Sequence, residues 1–376
     1  MTEYLTLAHI ETWRKAETYR SMLQDAGPGI AGSYLQDVMS RVDFAALTTE
    51  GLIECLVATK RPRIFAESMV FGDGTDWNAT ELSILGDIGF SAPVTAFDDG
   101  SHVRPRVHEH PVPATLLFSP GALLRNGTGR TPADWNEVTR NGKLDPAGYS
   151  GLYQRRLMPL LLHVEQQAVA LGAEALVTVP GLGCGQFAGP FRGTLGQALK
   201  EALIDLIKGC ADKLPHIRAL YYDPFDECRN ERHKFANVSL LVRPLLRGNR
   251  GKPQLCHPAT YAEDTDDFSN CRLFSVVAWD HVSWPGNDFY LGSRTTDDGV
   301  KAAATDVMAA ITGNQGNYDP LRHAYTPPEP YRTWGELVAL QRIQLRVAGN
   351  LLVLHDARQA VPRNGNGPKL KRDSTR

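Results

Sequence analysis

The sequence predicts an α/β protein in which helices cover both faces of a sheet, a three-layer α/β/α sandwich. Strand-like, loop-like and helix-like segments alternate from about residue 114 to residue 349. Two short apolar runs, EALVTVP (174–180) and RLFSVVAWD (272–280), have the unbroken hydrophobicity of strands buried on both faces. Each leads into a polar, glycine-bearing loop and then a helix-like segment. In open α/β sheets, ligands collect at that carboxyl end of the strands.

The elements follow in order. From Leu5 to about Val57, apolar residues recur at three and four (Leu35, Val38, Met39, Val42, then Leu52 and Leu56). This predicts helices, interrupted at Gly27-Pro28-Gly29, with an N-cap at Thr48 or Thr49. Residues 72–113 are rich in Gly, Asp and Pro and predict irregular structure with a short strand or two. The run ATLLFSPG (114–121) reads as a strand halting in a turn. Residues 150–171 form an amphipathic helix closed by Gly172. After the strand 174–180 and its loop comes the helix TLGQALKEALIDLIKG, with Thr194 as its N-cap. IRALYYD, NVSLLVRPLL and residues 272–280 give further strands, and GVKAAATDVMAAITG and WGELVALQRIQLRVAG further helices. The chain therefore divides into a helical and irregular region (1–113), a ligand-binding unit (114–350) and a flexible polar extension (351–376).

Composition narrows the function. The chain has 376 residues, 42% hydrophobic and 22% charged, enough for a core that needs no metal or disulfide staple. A net charge of −2 supplies no general attraction to nucleic acid or to anionic membranes. No apolar run is long enough to span a bilayer, and the first residues do not read as a secretory signal. Six scattered cysteines without a CxxC pair fit reduced, buried thiols. The expected setting is a cytosol, either the cell's own or that of a host into which the protein is delivered.

In VTVPGLGCGQFAGPFRGT, the glycines at 181, 183, 185, 189 and 193 exceed what one strand-to-helix turn needs. Glycine allows positive φ and close backbone approach, so successive N–H groups can converge on an anion. The loop has neither the GK[ST] of a Walker loop nor dinucleotide GxGxxG spacing.

The second loop holds Asp280, Asp288, Asp297 and Asp298 before the helix GVKAAATD. Caps and turns account for many aspartates. A constellation of them facing an anion cradle is better explained by chemistry.

The segment P-G-x-G-x-G-x-F-x-G resembles the phosphate loop of macrodomains. That likeness implies that the loop wraps the diphosphate and distal ribose of ADP-ribose, with Gly181, Leu182, Gly183, Cys184, Gly185 and Gln186 offering backbone amides and Phe187 against the distal ribose. The second loop resembles the other macrodomain ligand loop, with aspartates where asparagine and glycines are usual. The two loops also come in the reverse order, as in a circularly permuted sheet. Asp280–Asp288–Asp298 with TDDGVKAAATD is similar to the narrower group of macrodomain hydrolases around the effector MavL. The resemblance covers about residues 114–313. It implies ADP-ribosyl hydrolysis without a cofactor, from arginine, with ubiquitin as the modified protein. Asp288 and Asp298 are the expected catalytic carboxylates, Asp280 orients the substrate, and Asp297 binds ligand. Phe118 and Ser119 are the candidates for the adenosine end. A non-catalytic reader of ADP-ribosylated proteins and a hydrolase of small ADP-ribose or NAD derivatives are the alternatives. His108-Glu109-His110 lacks a third metal ligand, EDTDDF lacks EF-hand spacing, and Cys184 has no activating neighbour in sequence.

Overall fold

The computed structural model describes residues 4–354 apart from Ala348. The strands of its main sheet are β1 (Leu5–His9), β2 (Gly89–Asp98), β3 (Val107–Pro120), β4 (Glu174–Pro180), β5 (Ile217–Asp223), β6 (Glu231–Phe235), β7 (Val238–Val242), β8 (Cys271–Trp279) and β9 (Leu351–Leu354). They lie in the order β9-β1-β2-β3-β8-β4-β5-β7-β6. The run β3-β8-β4-β5-β7 is parallel throughout, while β2 is antiparallel to both its neighbours. The carboxyl ends of β3, β8 and β4 therefore open on the same edge.

The helices are α1 (Ile10–Ala26), α2 (Thr49–Ala58), α3 (Ala79–Gly86), α4 (Pro146–Leu171), α5 (Leu195–Cys210), α6 (Asp297–Ala304), α7 (Val307–Thr312) and α8 (Trp334–Gln341), besides the seven-residue helix Ser33–Met39 and shorter helical turns. Strand side chains alternate between two cores. Leu273 and Val277 of β8 join Leu176 and Tyr221 on the face covered by α1–α3, α6 and α7. Phe274 and Val276 join Val177 and Leu220 under α4 and α5. Burial on both faces is why these strands read as unbroken apolar runs. The three-layer α/β/α sandwich is thus present.

Several local expectations change. The first residues contribute strand β1 ahead of α1, and residues 89–98 form a full strand inside the sheet rather than irregular structure. The division at residue 114 falls within β3, so the N-terminal region and the sheet are continuous. Thr48 caps α2 through its hydroxyl, accepting from the Gly51 amide at 3.0 Å. Thr194 makes no such cap, because Glu227 Oε2 takes the Gly196 amide at 2.6 Å instead. The helix expected over 299–313 breaks at Thr305 and Asp306, where the Asp306 carboxylate accepts from the Thr95 amide at 2.7 Å. The final helix stops at Gln341, followed by Arg342 at φ 53°. Of the extension expected to be flexible, residues 351–354 form β9 and the remainder lies outside the described residues.

α4 carries Arg155 and Arg156 into a buried ionic cluster. Arg155 Nε lies 2.6 Å from Asp87, and Arg156 Nη2 lies 2.7 Å from Asp134. Arg156 also donates to the Gly121 carbonyl at 3.0 Å, fixing the end of β3 to the helix behind it. Removing one member of such a cluster leaves buried charge uncompensated.

Candidate active site

A cleft of about 690 Å³ opens at the carboxyl ends of β4 and β8. One wall is the glycine loop, represented by Gly181, Gly183, Gly185, Gln186 and Phe187. The opposite part holds Asp280, Asp288, Asp297 and Asp298. The structure thus brings the two sequence motifs to one cavity.

The glycine loop owes its path to contacts on its far side. Gly183 has φ 72°, and a Cβ there would come within 2.8 Å of the Ala122 amide nitrogen. A Cβ on Gly121 would come within 2.3 Å of the Gly183 nitrogen. Tyr153 of α4 donates to the Leu182 carbonyl at 2.7 Å and accepts from the Ala122 amide at 3.0 Å. Gly185, by contrast, has nothing near its missing Cβ and faces open space. Leu182 is fully buried and Cys184 half-buried, and neither side chain lines the cleft. Burial raises the Cys184 thiol well above its ordinary pKa, so it is no activated nucleophile.

The turn at Ser119-Pro120-Gly121 supports this loop from behind. Phe118 is buried in the core with its ring 6.0 Å from that of Trp279, and Ser119 is 1% exposed. Neither lines the cleft, so neither meets the expectation of a contact at the adenosine end. Strand alternation sends Phe118 into the packed layer, where a ligand has no access.

The aspartates differ in how they are held. Asp280 Oδ1 accepts from the amides of Val282 (2.8 Å) and Ser283 (2.6 Å), and Oδ2 from Asn287 Nδ2 at 3.0 Å. Asp288 Oδ2 accepts from the amides of Thr295 (2.9 Å) and Thr296 (3.2 Å), while the Thr296 hydroxyl donates to Oδ1. Asp297 accepts from the Ala278 amide at 2.7 Å and from Lys301 Nζ at 3.0 Å. The helix cap is Thr296, whose Oγ1 accepts from the Gly299 amide at 2.9 Å. Capping therefore does not account for Asp297 or Asp298.

Asp298 is the outlier. It is 2% exposed, its Oδ1 accepts from the Gly286 amide at 2.7 Å, and its buried Oδ2 has no partner. Burial raises its carboxyl well above the usual carboxylate range. The Gly286 bond works against that shift, and the charges of Asp288, Asp280 and Asp297 add to it. The cluster thus combines two fully bonded carboxylates with one buried acid.

Other residues join from distant segments. Lys60, 1% exposed, donates to the His281 carbonyl at 2.6 Å and sits 3.9 Å from the Trp279 ring centroid. Burial lowers its pKa to about 7 against the pull of Asp280 and Asp298. Glu67, with its pKa raised by burial, lines the cleft along with Arg63, Phe65 and Arg125. A threonine ahead of Asp-Asp-Gly signals Thr296 as a cap in the sequence. Lys60, Glu67 and Arg125 carry no such signal.

The remaining sequence candidates are accounted for elsewhere. His108 meets the Leu255 carbonyl at 2.9 Å. Glu263 and Asp266 of EDTDDF pair with Arg243 and Arg232. All six cysteines are free thiols, five of them buried. Among the described residues no helix is long and apolar enough to cross a membrane.

A family model described as the macrodomain effector MavL matches residues 4–331. The match begins before β1, in agreement with the unbroken sheet. No curated protein matches the chain.

Proposed function

Because this chain belongs to the MavL macrodomain effector family, whose fold implies ADP-ribose binding, we propose that it is an ADP-ribosyl hydrolase. Its substrate in this reading is a protein carrying ADP-ribose on arginine, with ubiquitin as the carrier, in a cell's own or a host's cytosol. The observation that carries the proposal is Asp298, a buried acid with one unpartnered oxygen beside two fully bonded carboxylates. A reader of ADP-ribose has no use for that costly arrangement.

In this mechanism the glycine loop binds the diphosphate through backbone amides and Phe187 packs on the distal ribose. The reacting carbon of that ribose then lies over the aspartates. Asp298 keeps its proton until the bond from ribose C1″ to the guanidinium nitrogen lengthens, and donates it to the departing nitrogen. The electron pair of the breaking bond stays on nitrogen, and positive charge spreads over C1″ and the ring oxygen. Asp288, fixed by its threonine donors, stabilises that charge and receives a proton from the attacking water. Asp280, tied by Asn287 to the Ile64 carbonyl (2.9 Å from Asn287 Nδ2), orients the guanidinium.

The test is release of ADP-ribose from arginine-ADP-ribosylated ubiquitin, by wild type and by Asp288→Ala and Asp298→Ala. Binding of free ADP-ribose is measured calorimetrically alongside. Release lost in the variants with binding retained supports the proposal. Binding without release from any linkage favours a reader. Absence of binding sinks the assignment of ADP-ribose to this cleft.

A further inference from the structure

The cleft sets an electrostatic problem for an anionic ligand. Its lining carries the carboxylates Glu67, Asp280, Asp288 and Asp297 besides the buried acid Asp298, against Arg63 and Arg125 as the cations among the described residues. A diphosphate brought among carboxylates is repelled unless positive charge lies close to it. A helix N-terminus commonly provides that charge. Here the first turn of α5 is already taken, because Glu227 Oε2 holds the Gly196 amide at 2.6 Å.

Arg125 is built into the outer side of the glycine loop. The Leu124 amide before it donates to the Phe187 carbonyl at 2.9 Å. A Cβ on Gly189 would approach the Arg125 nitrogen to 3.5 Å, so the two backbones lie against each other. The side chain is tethered as well, with Nη1 donating to Gln186 Oε1 at 2.8 Å. Beyond it, the Gly127 amide donates to the Glu67 carbonyl at 2.7 Å, and Asn126 Nδ2 to the Val70 carbonyl at 3.0 Å. The turn is thereby strapped to the facing wall. An arginine held through one nitrogen keeps further N–H groups for a phosphate, whose oxygens match its planar fork.

We propose that Arg125, steered by Gln186, is a diphosphate-binding residue that closes the glycine loop over the ligand from the solvent side. The inference takes its ligand from the ADP-ribose reading above. Its chemistry, a guanidinium on a pyrophosphate group, can be probed separately with inorganic pyrophosphate.

The experiment is calorimetric titration of ADP-ribose, and of pyrophosphate, into wild type, Arg125→Ala, Arg125→Gln, Gln186→Ala and Arg63→Ala at low and high salt. Arg125→Ala and Arg125→Gln are expected to weaken ADP-ribose binding about 10- to 100-fold, the scale of a charge-assisted hydrogen bond. They should also flatten its salt dependence. Gln186→Ala keeps the charge and should cost less. Melting curves identify any variant that fails to fold, and the exposed Arg125 side chain gives two independent replacements. Unchanged affinity and salt dependence in both Arg125 variants overturns the inference. So does an equal loss in Arg63→Ala, which would indicate a general field instead of a contact. If wild type binds pyrophosphate but not ADP-ribose, the functional reading falls. The inference then stands or falls on whether Arg125→Ala removes pyrophosphate binding. Failure of both ligands to bind wild type ends both.

Discussion

Replacing Asp298 by asparagine separates the proton of this residue from its shape. Asparagine keeps an oxygen for the Gly286 amide and places an amino group where the unpartnered Oδ2 lies, beside Asp280 and Asp288. What disappears is the acid. General acid–base assistance contributes about 10²- to 10⁴-fold, so turnover should fall by that factor, or about 3–5 kcal/mol in barrier. Stability should move the other way. The folded state binds the Asp298 proton more tightly than the unfolded chain does, because burial raises its pKa. Its contribution is therefore complete below the unfolded pKa of about 4 and declines as pH rises towards the folded value. Each unit of elevation costs wild type about 1.4 kcal/mol once that value is passed. Asp298→Asn should accordingly melt progressively higher than wild type as pH rises from about 4 towards the folded value, and by a constant margin above it. Rates of ADP-ribose release and melting temperatures across one pH series measure both effects. An asparagine variant with the wild-type rate, or a melting difference that ignores pH, would refute the role of Asp298 as a neutral buried acid.

Three further substitutions address the frame around the site. Gly299→Ala places a Cβ 2.0 Å from Asp288 Oδ1, and displacing that carboxylate by about an ångström should cost roughly 100-fold in turnover. ADP-ribose affinity should change far less, and a wild-type kcat would show that Asp288 needs no fixed position. Gly183→Ala forces a side chain onto φ 72° and into the Ala122 backbone; lower melting and weaker ADP-ribose binding are expected, checked by scanning and titration calorimetry. Lys60 has a folded pKa lowered to about 7, so wild type gains stability as pH rises from there towards the lysine value of about 10.4. Lys60→Met lacks that gain, and the melting advantage of wild type over the variant should widen across this range. A gap that stays constant would mean that Lys60 keeps its proton.

The sequence made the centre of the fold readable and left its margin obscure. EALVTVP and RLFSVVAWD announce themselves because both of their faces are buried. LTLAH runs straight into α1 without a turn, so helical periodicity masks the strand. GFSAPVTAFD contains a glycine and a proline that local rules assign to turns, and only pairing with β1 and β3 makes it a strand. The same contrast holds in the site. The aspartates share one loop with the helix they precede, so their spacing is visible. Phe118 and Ser119 are buried away from the cleft lining, since sequence proximity to a strand end does not say which face a side chain takes. Glu67 and Arg125 reach the cleft, and Lys60 the buried side of its aspartates, only after the fold has brought remote segments together.

The near-contacts of Gly121 with Gly183 and of Gly189 with Leu124 reverse the usual relation between a pocket and its residues. The positions that set the outline of this cradle project no side chain into it. They are defined by atoms they lack. Much of the design here is a record of omissions, with room left so that two stretches of main chain can lie against each other. A relative could exchange every side chain along the rim and still present the same amide surface. One added methyl group on the hidden side would remove it. Kinship among such sites is better sought in shared vacancies than in shared functional groups.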